Sequence, residues 1–280
     1  MKTIHTTDIE KVICELCIKA CTILPSEVCN MLHQATKEEP FAPAKATLQL
    51  ICDNIVVAKE KKMPMCQDTG MAIVYVELGQ EVHIEGGLLT NAINEGVARG
   101  YTEGYLRKSM VKDPFDRVNT GNNTPAIIHI KLVEGNSLKL TVAPKGIGSE
   151  NMSRLKMLMP SEGLNGVHNF VMETVRLAGA NPCPPIILGI GIGGSFEQVA
   201  CLAKEALVLP REGEHPNPFY ANLEKQWLED INATGIGPQG FGGKTTALSV
   251  RIRTAPAHIA GLPVAVNVGC HAARHASYTF

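Results

Sequence analysis

Aromatic side chains, net charge and long apolar runs are all scarce in this chain of 280 residues. Phe, Tyr and Trp make up 5% of the sequence, so we do not expect a surface on which nucleic-acid bases stack. The formal net charge of −1 gives no electrostatic reason to expect nucleic acid or an anionic membrane as a partner. Charged residues interrupt the N-terminal segment MKTIHTTDIEKVICELC, which predicts neither a signal peptide nor a transmembrane helix. We therefore expect a cytoplasmic protein.

Signs of a disulfide framework are also missing. The nine cysteines are an odd number in a chain without a predicted export signal, which favours reduced thiols or metal ligands over disulfide bonds. Because aromatic residues are few, the core has to rest on Ile, Leu, Val, Ala and Met. With 45% hydrophobic residues, the chain has enough apolar material for a large core.

Hydrophobic periodicity predicts helices in the first sixty residues and a mixture of helices and strands afterwards. The third N-terminal helix is expected at about 42–62, and MAIVYVEL (71–78) has the unbroken apolar run of a buried strand. In AIIHIKLVEGNSLKLTVAP (126–144), two alternating segments around a polar turn predict a β-hairpin. Further helices are expected near 88–107, 167–177, 196–209 and 219–234, and further strands near 184–190, 247–253 and 262–268.

These elements predict a mixed α/β (α+β) fold, in which N-terminal helices precede a compact unit with mixed sheets, short strands and many Gly- and Pro-rich loops. The sequence has no internal repeat, low-complexity tract or Pro/Ser-rich linker. We therefore expect residues 1–280 to form a single domain, with about 1–62 as a candidate helical subdomain. Loops rich in glycine and proline often carry functional residues, so we expect several of these loops to converge on one site.

Three cysteines near the N-terminus have the C-x-x-C-x-x-x-C spacing of a cluster or redox motif. Cys14, Cys17 and Cys21 nevertheless lie in a helical pattern, on the same face as Ile13 and Leu16. We interpret them as a buried core stripe. The same interpretation applies to the cysteines of other periodic helices: Cys29, Cys52 and Cys201.

Three other cysteines lie in loops beside proline or glycine: Cys66 in MPMCQDTG, Cys183 in GANPCPPII and Cys270 in VNVGCHAAR. They are far apart in the sequence, so no spacing rule links them. A shared zinc ion would need a bound water or a fourth protein ligand, for which His271 and His275 are candidates. An iron–sulfur cluster on three thiolates would instead leave one iron open for a substrate. The residues alone leave both alternatives open.

Two glycine-rich stretches match nucleotide-binding motifs only in part. GIGIGGS has G-x-G-x-x-G order at Gly189, Gly191 and Gly194, between a predicted strand and a predicted helix. The segment about twenty residues later, LPREGEH, does not end a second strand, so we favour an anion-binding helix start or close packing. GFGGKT (240–245) lacks P-loop spacing, although Lys244 is a candidate contact for an anionic substrate.

Taken together, the loops resemble class I fumarate hydratase, the oxygen-sensitive iron–sulfur type, and its relative L(+)-tartrate dehydratase. The resemblance extends over most of the chain from about Cys66. Its specificity comes from separate motifs in the right order: MCQDTG, LRKS, NTGNNTPA, KGIGSEN, NPCPP, GIGG, FGGKT and VGCHAAR.

The resemblance implies a [4Fe-4S] cluster bound by the three loop cysteines, with the fourth iron left for substrate. It also implies a role for Asp68 as proton donor or relay. The positions that it implies for substrate contact are Gln67, Arg107, Gly148 and His258.

The resemblance further implies the α subunit of a two-subunit enzyme, because single-chain members continue into a second domain and this chain stops at Phe280. A separate β subunit would then supply the catalytic base, in an αβ or α2β2 complex, and the α chain alone would be nearly inactive. The expected reaction is the reversible hydration of fumarate to S-malate. The alternatives are an L(+)-tartrate dehydratase, which converts tartrate to oxaloacetate and water, and a non-catalytic iron–sulfur sensor.

Overall fold

The computed structural model describes residues 2–209 and 213–280, and the chain divides into two compact units. Unit 1 contains Met1–Pro25, Asn54–Ile147 and Arg274–Phe280, and unit 2 contains Ser26–Asp53 and Gly148–Ala273. The N-terminal helices are divided between these units. The single domain over 1–280, with a helical subdomain at about 1–62, stays a prediction.

Most helices lie where the periodicity predicts them. They are α1 (Thr6–Thr22), α2 (Ser26–Glu38), α3 (Ala42–Lys61), α4 (Leu89–Glu103), α5 (Ile147–Glu150), α6 (Gly163–Ala178), α7 (Phe196–Val208) and α8 (Pro218–Asn232). The helix expected near 88–107 ends earlier, because Gly104 follows it and Tyr105 adopts a left-handed φ of 52°. No helix among the described residues has the length and apolar content that a membrane crossing requires.

The strands include several short ones that periodicity does not detect. They are β1 (Lys2–His5), β2 (Met71–Gly79), β3 (Val82–Glu85), β4 (Ile127–Val133), β5 (Leu138–Lys145), β6 (Arg154–Leu158), β7 (Ile186–Gly194), β8 (Ala247–Ala257), β9 (Leu262–Gly269) and β10 (Ala276–Thr279). Of the segment LPREGEH, residues 210–212 lie outside the described residues. The mixture of helices with mixed sheets confirms the predicted α/β class.

The sheet of unit 1 has the strand order β10-β5-β2-β4, and it contradicts the predicted hairpin. Strands β4 and β5 both form, but β2 lies between them, parallel to β4 and antiparallel to β5. The long apolar run of β2 explains this order, because a strand buried on both faces is stabilised most in the centre of a sheet. The polar turn after β4 therefore crosses the end of β2 instead of closing a hairpin.

The core of unit 1 forms where α1 and α4 pack with this sheet. Two glycines of α4 allow a close approach between the helices. A Cβ atom at Gly96 would lie 2.7 Å from the Glu10 carbonyl oxygen, and one at Gly100 would lie 2.8 Å from Cβ of Cys17. The N-terminal cysteines therefore pack against α4, which confirms the core-stripe interpretation.

The sheet of unit 2 has the order β6-β9-β7-β8, in which β7 is parallel to β8 and antiparallel to β9. The GIGIGG sequence lies inside β7 and at its end, not in a phosphate-binding loop. A Cβ atom at Gly189 would lie 2.1 Å from the carbonyl oxygen of Ala203, and one at Gly191 would lie 2.3 Å from that of Val199. These two glycines thus allow α7 to pack directly on β7, which supports the close-packing alternative.

One end of the unit 2 sheet collects four of the motif-bearing segments. The register pairs Arg154 with Val266, Ile187 with Gly269, and Ile186 with Ala247. The starts of β6, β7 and β8 and the end of β9 therefore lie at the same end of the sheet, which we call its edge. The loops at this edge carry KGIGSEN, NPCPP, FGGKT and VGCHAAR.

Candidate functional site

The QDTG turn of unit 1 is fixed by hydrogen bonds from distant segments of the same unit. One carboxylate oxygen of Asp68 accepts the Gly70 N–H at 2.9 Å, and the other accepts the Ile147 N–H at 2.8 Å. The Asp68 carbonyl oxygen accepts a hydrogen bond from Nη2 of the buried Arg274. The position of the Asp68 carboxylate is therefore set by the fold of unit 1, while each oxygen keeps a further lone pair.

The other end of the turn requires glycine and a buried phenol. Gly70 has a φ of +73°, and a Cβ atom there would lie 2.4 Å from the carbonyl carbon of Lys145. The hydroxyl of the fully buried Tyr101 lies 2.9 Å from the Thr69 carbonyl oxygen and 3.1 Å from that of Gly70. Burial raises the pKa of Tyr101 well above its usual value, so this side chain stays a hydrogen-bond donor.

The side chains that begin the turn are accessible. Cys66 is half-buried and Gln67 is exposed, and the Cys66 thiol lies 3.6 Å from Oε1 of Gln67. Neither side chain is part of the unit 1 core, so both can meet a ligand or cofactor without a change in packing.

The backbone of Arg107 is held by a hydrogen bond, whereas its guanidinium has no partner in the described part of the chain. Its carbonyl oxygen accepts the Thr69 hydroxyl at 3.0 Å, which ties the LRKS segment to the QDTG turn. The guanidinium is exposed, and within the described part of the chain it makes no hydrogen bond or ion pair. An arginine in this state is available for a carboxylate ligand.

In unit 2, the fold brings the loops of Cys183 and Cys270 together. Cys183 precedes β7 and Cys270 follows β9, and the antiparallel pairing of these strands places both loops at the same edge. Nδ1 of His271 lies 3.0 Å from the Cys183 carbonyl oxygen. Cys183 itself is exposed and adopts a left-handed φ of 56°, a conformation that is uncommon outside glycine and typical of functional loops.

A third loop supports the Cys183 loop. The backbone N–H and the side-chain amide of Gln239 each donate a hydrogen bond of 2.8 Å to the Pro184 carbonyl oxygen. Gln239 also adopts a left-handed φ, of 54°. Two strained backbones in contacting loops indicate a conformation that the surrounding fold imposes.

Gly148 lies in α5, at the same edge of the unit 2 sheet. A Cβ atom at Gly148 would meet no atom within 4 Å, so its backbone borders open space. The segment is held by Glu150, which pairs with Nζ of Lys204 and accepts a hydrogen bond of 3.0 Å from Nδ2 of Asn267. Desolvation lowers the pKa of Lys204, although Glu150 partly opposes the shift.

His258 does not lie at this edge. It belongs to the turn between β8 and β9, at the opposite end of the sheet from Cys183 and Cys270. The eight residues of β9 separate the two ends by about 25 Å at the usual rise of an extended strand. Within unit 2, the fold therefore does not bring His258 together with the two cysteines.

The three helical cysteines have the properties of core thiols. Burial raises the pKa of Cys14 to about 11 and that of Cys21 to about 11, and it raises the pKa of Cys17 well above the usual value. The reactive and metal-binding form of cysteine is the thiolate. These residues are therefore poor metal ligands, which agrees with the sequence-based interpretation.

The loop cysteines fit an iron–sulfur group in chemistry and accessibility. Thiolate is the usual ligand of such clusters, and Cys66, Cys183 and Cys270 are all at least partly accessible. Over the described residues, neither unit alone contains three His, Cys, Asp or Glu side chains grouped to hold a metal ion. Unit 2 supplies two neighbouring cysteine loops, so the three-cysteine ligand set stays a prediction.

Sequence patterns did not identify the side chains that support these loops. Tyr101, Asn123, Arg274 and Gln239 all hydrogen-bond to backbone atoms of the predicted site loops. Asn123 and Arg274 belong to the NTGNNTPA and VGCHAAR motifs, but the sequence does not show which distant backbone atom each of the four side chains contacts. Positive φ at Asn123 and Gln239 is a structural signal that residue type alone does not reveal.

A fixed carboxylate and an available guanidinium on two linked segments of unit 1 are suited to an enzyme that binds a small carboxylic acid and moves a proton on it. Sequence comparison narrows this class. The profile of the family described as Fumarate hydratase (Fumerase) matches residues 10–279. The chain belongs to this family, and it is an enzyme of the hydro-lyase class.

Similar proteins cover nearly the whole chain. A protein of Methanocaldococcus jannaschii named "Putative L(+)-tartrate dehydratase subunit alpha" is 42% identical over 275 residues, which is 96% of each chain. The "L(+)-tartrate dehydratase subunit alpha" of Escherichia coli K12 is 35% identical over 269 residues, 92% of this chain and 88% of its own. The protein of that name in Shigella sonnei has the same identity and coverage.

Proposed function

We propose that this chain is the α subunit of a two-subunit class I fumarate hydratase, which adds water reversibly across the double bond of fumarate to give S-malate. The observation that carries the proposal is the exposed Arg107 guanidinium, without a partner among the described residues, on a segment tied to the Asp68 turn. Fumarate and malate are dianions, and a guanidinium can bind a carboxylate through two parallel hydrogen bonds.

Each predicted site residue has a separate role in this proposal. Arg107, Gln67 and the open backbone at Gly148 contact the dicarboxylate. Asp68 relays a proton, because both of its oxygens are held by backbone N–H groups and each retains a lone pair for exchange with a ligand. The catalytic base belongs to the β subunit, so the α chain alone is nearly inactive.

A [4Fe-4S] cluster bound by Cys66, Cys183 and Cys270 completes the proposed site. When bound, such a cluster supplies an open iron that acts as a Lewis acid toward the substrate oxygens. The chain's own contribution is to hold the cysteine loops, through His271 and Gln239 in unit 2 and through the fixed QDTG turn in unit 1.

The proposed subunit composition is based on the names of similar proteins. Proteins of similar length that cover this chain almost completely are named as α subunits, which supports a separate β chain here and an αβ or α2β2 complex. We further propose a cytoplasmic location, where the nine cysteines, all free thiols in the structure, stay reduced.

We propose that His258 contacts the substrate from a second α chain. Its turn lies at the opposite end of the unit 2 sheet from the cysteine loops. A substrate contact by His258 would therefore come from a second α chain, which favours the α2β2 form of the complex.

L(+)-tartrate dehydration is the second candidate function. Its support is the name of the relatives at 35% and 42% identity. Both reactions involve four-carbon dicarboxylates that differ in their hydroxyl groups, and the residues assigned above bind carboxylates in either case. The α-chain geometry therefore supports both substrates.

The decisive experiment is a comparison of initial rates with the αβ complex after anaerobic co-expression. We expect turnover of fumarate and S-malate above that of L(+)-tartrate. Turnover confined to tartrate would replace the first proposal by the second.

Iron and sulfide analysis of the same sample tests the cofactor. We expect about four of each per α chain, with loss in Cys66→Ala, Cys183→Ala and Cys270→Ala. Cys201→Ala is the matched control. Retention of the cluster in those three variants, combined with its loss in the Cys14/Cys17/Cys21→Ala triple variant, would instead support a sensor.

A further inference from the structure

Asn123, in the NTGNNTPA loop, has the environment of a core residue although it lies in a loop. Its side chain is fully buried, and its backbone has a left-handed φ of 62°. Asn is among the few residue types other than glycine that adopt this conformation readily. The conformation turns the side-chain amide into unit 1 instead of toward solvent.

The amide of Asn123 joins two segments of the proposed site. Its Oδ1 accepts the backbone N–H groups of Ser109 at 2.7 Å and Met110 at 3.1 Å, directly after Arg107 in the LRKS segment. Its Nδ2 donates to the Gly70 carbonyl oxygen at 3.1 Å, at the end of the QDTG turn. One side chain therefore holds the backbone beside Arg107 and the backbone beside Asp68.

Neighbouring asparagines show what ordinary turn chemistry looks like in this loop. Oδ1 of Asn122 accepts the N–H and the hydroxyl of Thr124. Oδ1 of Asn119 accepts the N–H of Gly121 in the same way, although its Nδ2 also donates to the Lys108 carbonyl oxygen at 2.9 Å. Both side chains are exposed, as expected for Asx turns. The bonds of Asn123 instead reach residues between 13 and 53 positions away. A role in its own turn does not explain them.

We propose that Asn123 is a positioning residue of the hydro-lyase: it sets the separation between the Arg107 guanidinium and the Asp68 carboxylate, and thereby the affinity for a dicarboxylate. This inference rests on the proposed function of Arg107 and Asp68. Asn123 is buried and acts only through the two backbone segments. The Thr69–Arg107 bond joins them directly at one point, and Tyr101 contacts both through its hydroxyl and its carbonyl oxygen. Asn123 adds a further link that bonds to the backbone on both sides.

The test uses the αβ complex with Asn123→Ala, Asn123→Asp and the exposed neighbour variant Asn122→Ala. Asn123→Asp keeps the acceptor oxygen for Ser109 and Met110 but loses the donor to Gly70, so it separates the two halves of the link. We expect KM for S-malate to rise about 10- to 100-fold in Asn123→Ala, since small displacements of a binding group have effects of this size. In Asn123→Asp the rise should be smaller, and Asn122→Ala should match the wild type.

A purely structural role predicts a different result. Asn123→Ala would then lower the folded and iron-loaded fraction, and therefore kcat per total protein, but leave KM unchanged. A wild-type KM in the correctly folded fraction of Asn123→Ala would overturn the inference.

Amide hydrogen exchange makes the outcome independent of turnover. We expect faster exchange in 67–70 and 106–111 in Asn123→Ala, with no change in Asn122→Ala. Unchanged exchange in both segments would overturn the inference by itself. If the wild-type complex hydrated no dicarboxylate, the proposed function would fail, and the exchange result would still decide whether Asn123 links the two segments.

Discussion

The carboxylate of Glu39 accepts two hydrogen bonds from Thr245 through a single oxygen: the backbone N–H and the hydroxyl each lie 2.8 Å from Oε2. Its other oxygen accepts the N–H of Lys244 at 2.9 Å. A Cβ atom at Gly243, where φ is +113°, would lie 3.0 Å from this oxygen. The backbone of the GFGGKT loop therefore binds an anion, and this anion is a carboxylate of the same chain. The contact of Lys244 with an anionic substrate stays a prediction.

Replacing Glu39 should destabilise unit 2. In Glu39→Gln, an amide N–H group would face the donors of Lys244 and Thr245, so we expect a loss of about 1–3 kcal/mol in the free energy of unfolding. Urea denaturation of the wild type and the variant measures this loss. Glu38→Gln, at an exposed neighbouring position, is the control and should unfold at the wild-type urea concentration. Equal midpoints for the two variants would contradict the finding.

The stabilisation by Glu39 should also depend on pH. Burial opposes the charged form, but the hydrogen bonds from Lys244, Thr245 and Phe41 outweigh it and lower the pKa of Glu39 below its usual 4.5. A lowered folded-state pKa means that the stabilisation is fully present above the unfolded-state value and is lost as the pH falls through the folded-state value. The stability difference between wild type and Glu39→Gln should thus be largest at neutral pH and shrink below about pH 4. A stability difference that increased as the pH fell would contradict this prediction.

The cysteines should fall into two reactivity classes. Because burial raises the pKa of Cys14 and Cys21 from 9.0 to about 11, their thiolate fraction is about a hundredfold below that of an ordinary thiol. After chelator treatment, iodoacetamide should modify Cys183, Cys66 and Cys270 before these two, as peptide mass spectrometry would show. Labelling of Cys14 or Cys21 as fast as Cys183 would contradict the core-stripe assignment.

The Arg107 guanidinium should matter for its shape and not only for its charge. Arg107→Lys keeps the positive charge but loses the two parallel donors, so we expect KM for S-malate to rise about tenfold or more. Arg117→Lys, on an exposed turn, is the matched control, with KM expected at the wild-type value. An equal effect of both substitutions would mean that Arg107 acts only through the overall charge of the surface.

His258 should act on the site of another α chain. His258→Ala chains can be co-assembled with Cys183→Ala chains. If the histidine comes from the second copy, one site of this hybrid is intact, because the first chain supplies its cysteines and the second chain supplies its His258. We therefore expect two nearly inactive preparations to regain activity after mixing under dissociating conditions. If hybrids with full β-subunit content stayed inactive, His258 would either lie outside the substrate site or act in the site of its own chain.

The elements of this fold could be predicted from sequence wherever the pattern is local. Helices α1 and α3 and strand β2 follow directly from the spacing of their apolar residues, because burial repeats with the period of the element. The family also follows from sequence, since eight loop motifs in a fixed order are far more specific than any one of them. The helical cysteines were assigned to the core for the same local reason, and the burial of Cys14, Cys17, Cys21 and Cys52 confirms it. Cys29 and Cys201 are only half-buried, because they lie at the margin of the apolar face of their helices.

Long-range packing, which no local pattern encodes, sets which segments meet. The pattern of β4 and β5 predicts a hairpin, yet β2 separates them, because pairing depends on the burial of β2 and not on the turn between β4 and β5. Glu39 lies 206 positions from Thr245, and Asn123 lies 53 positions from Gly70, so no local spacing encodes either contact. The amino-acid sequence determined the chemistry that is available at each loop, and long-range packing determined which of these groups act together.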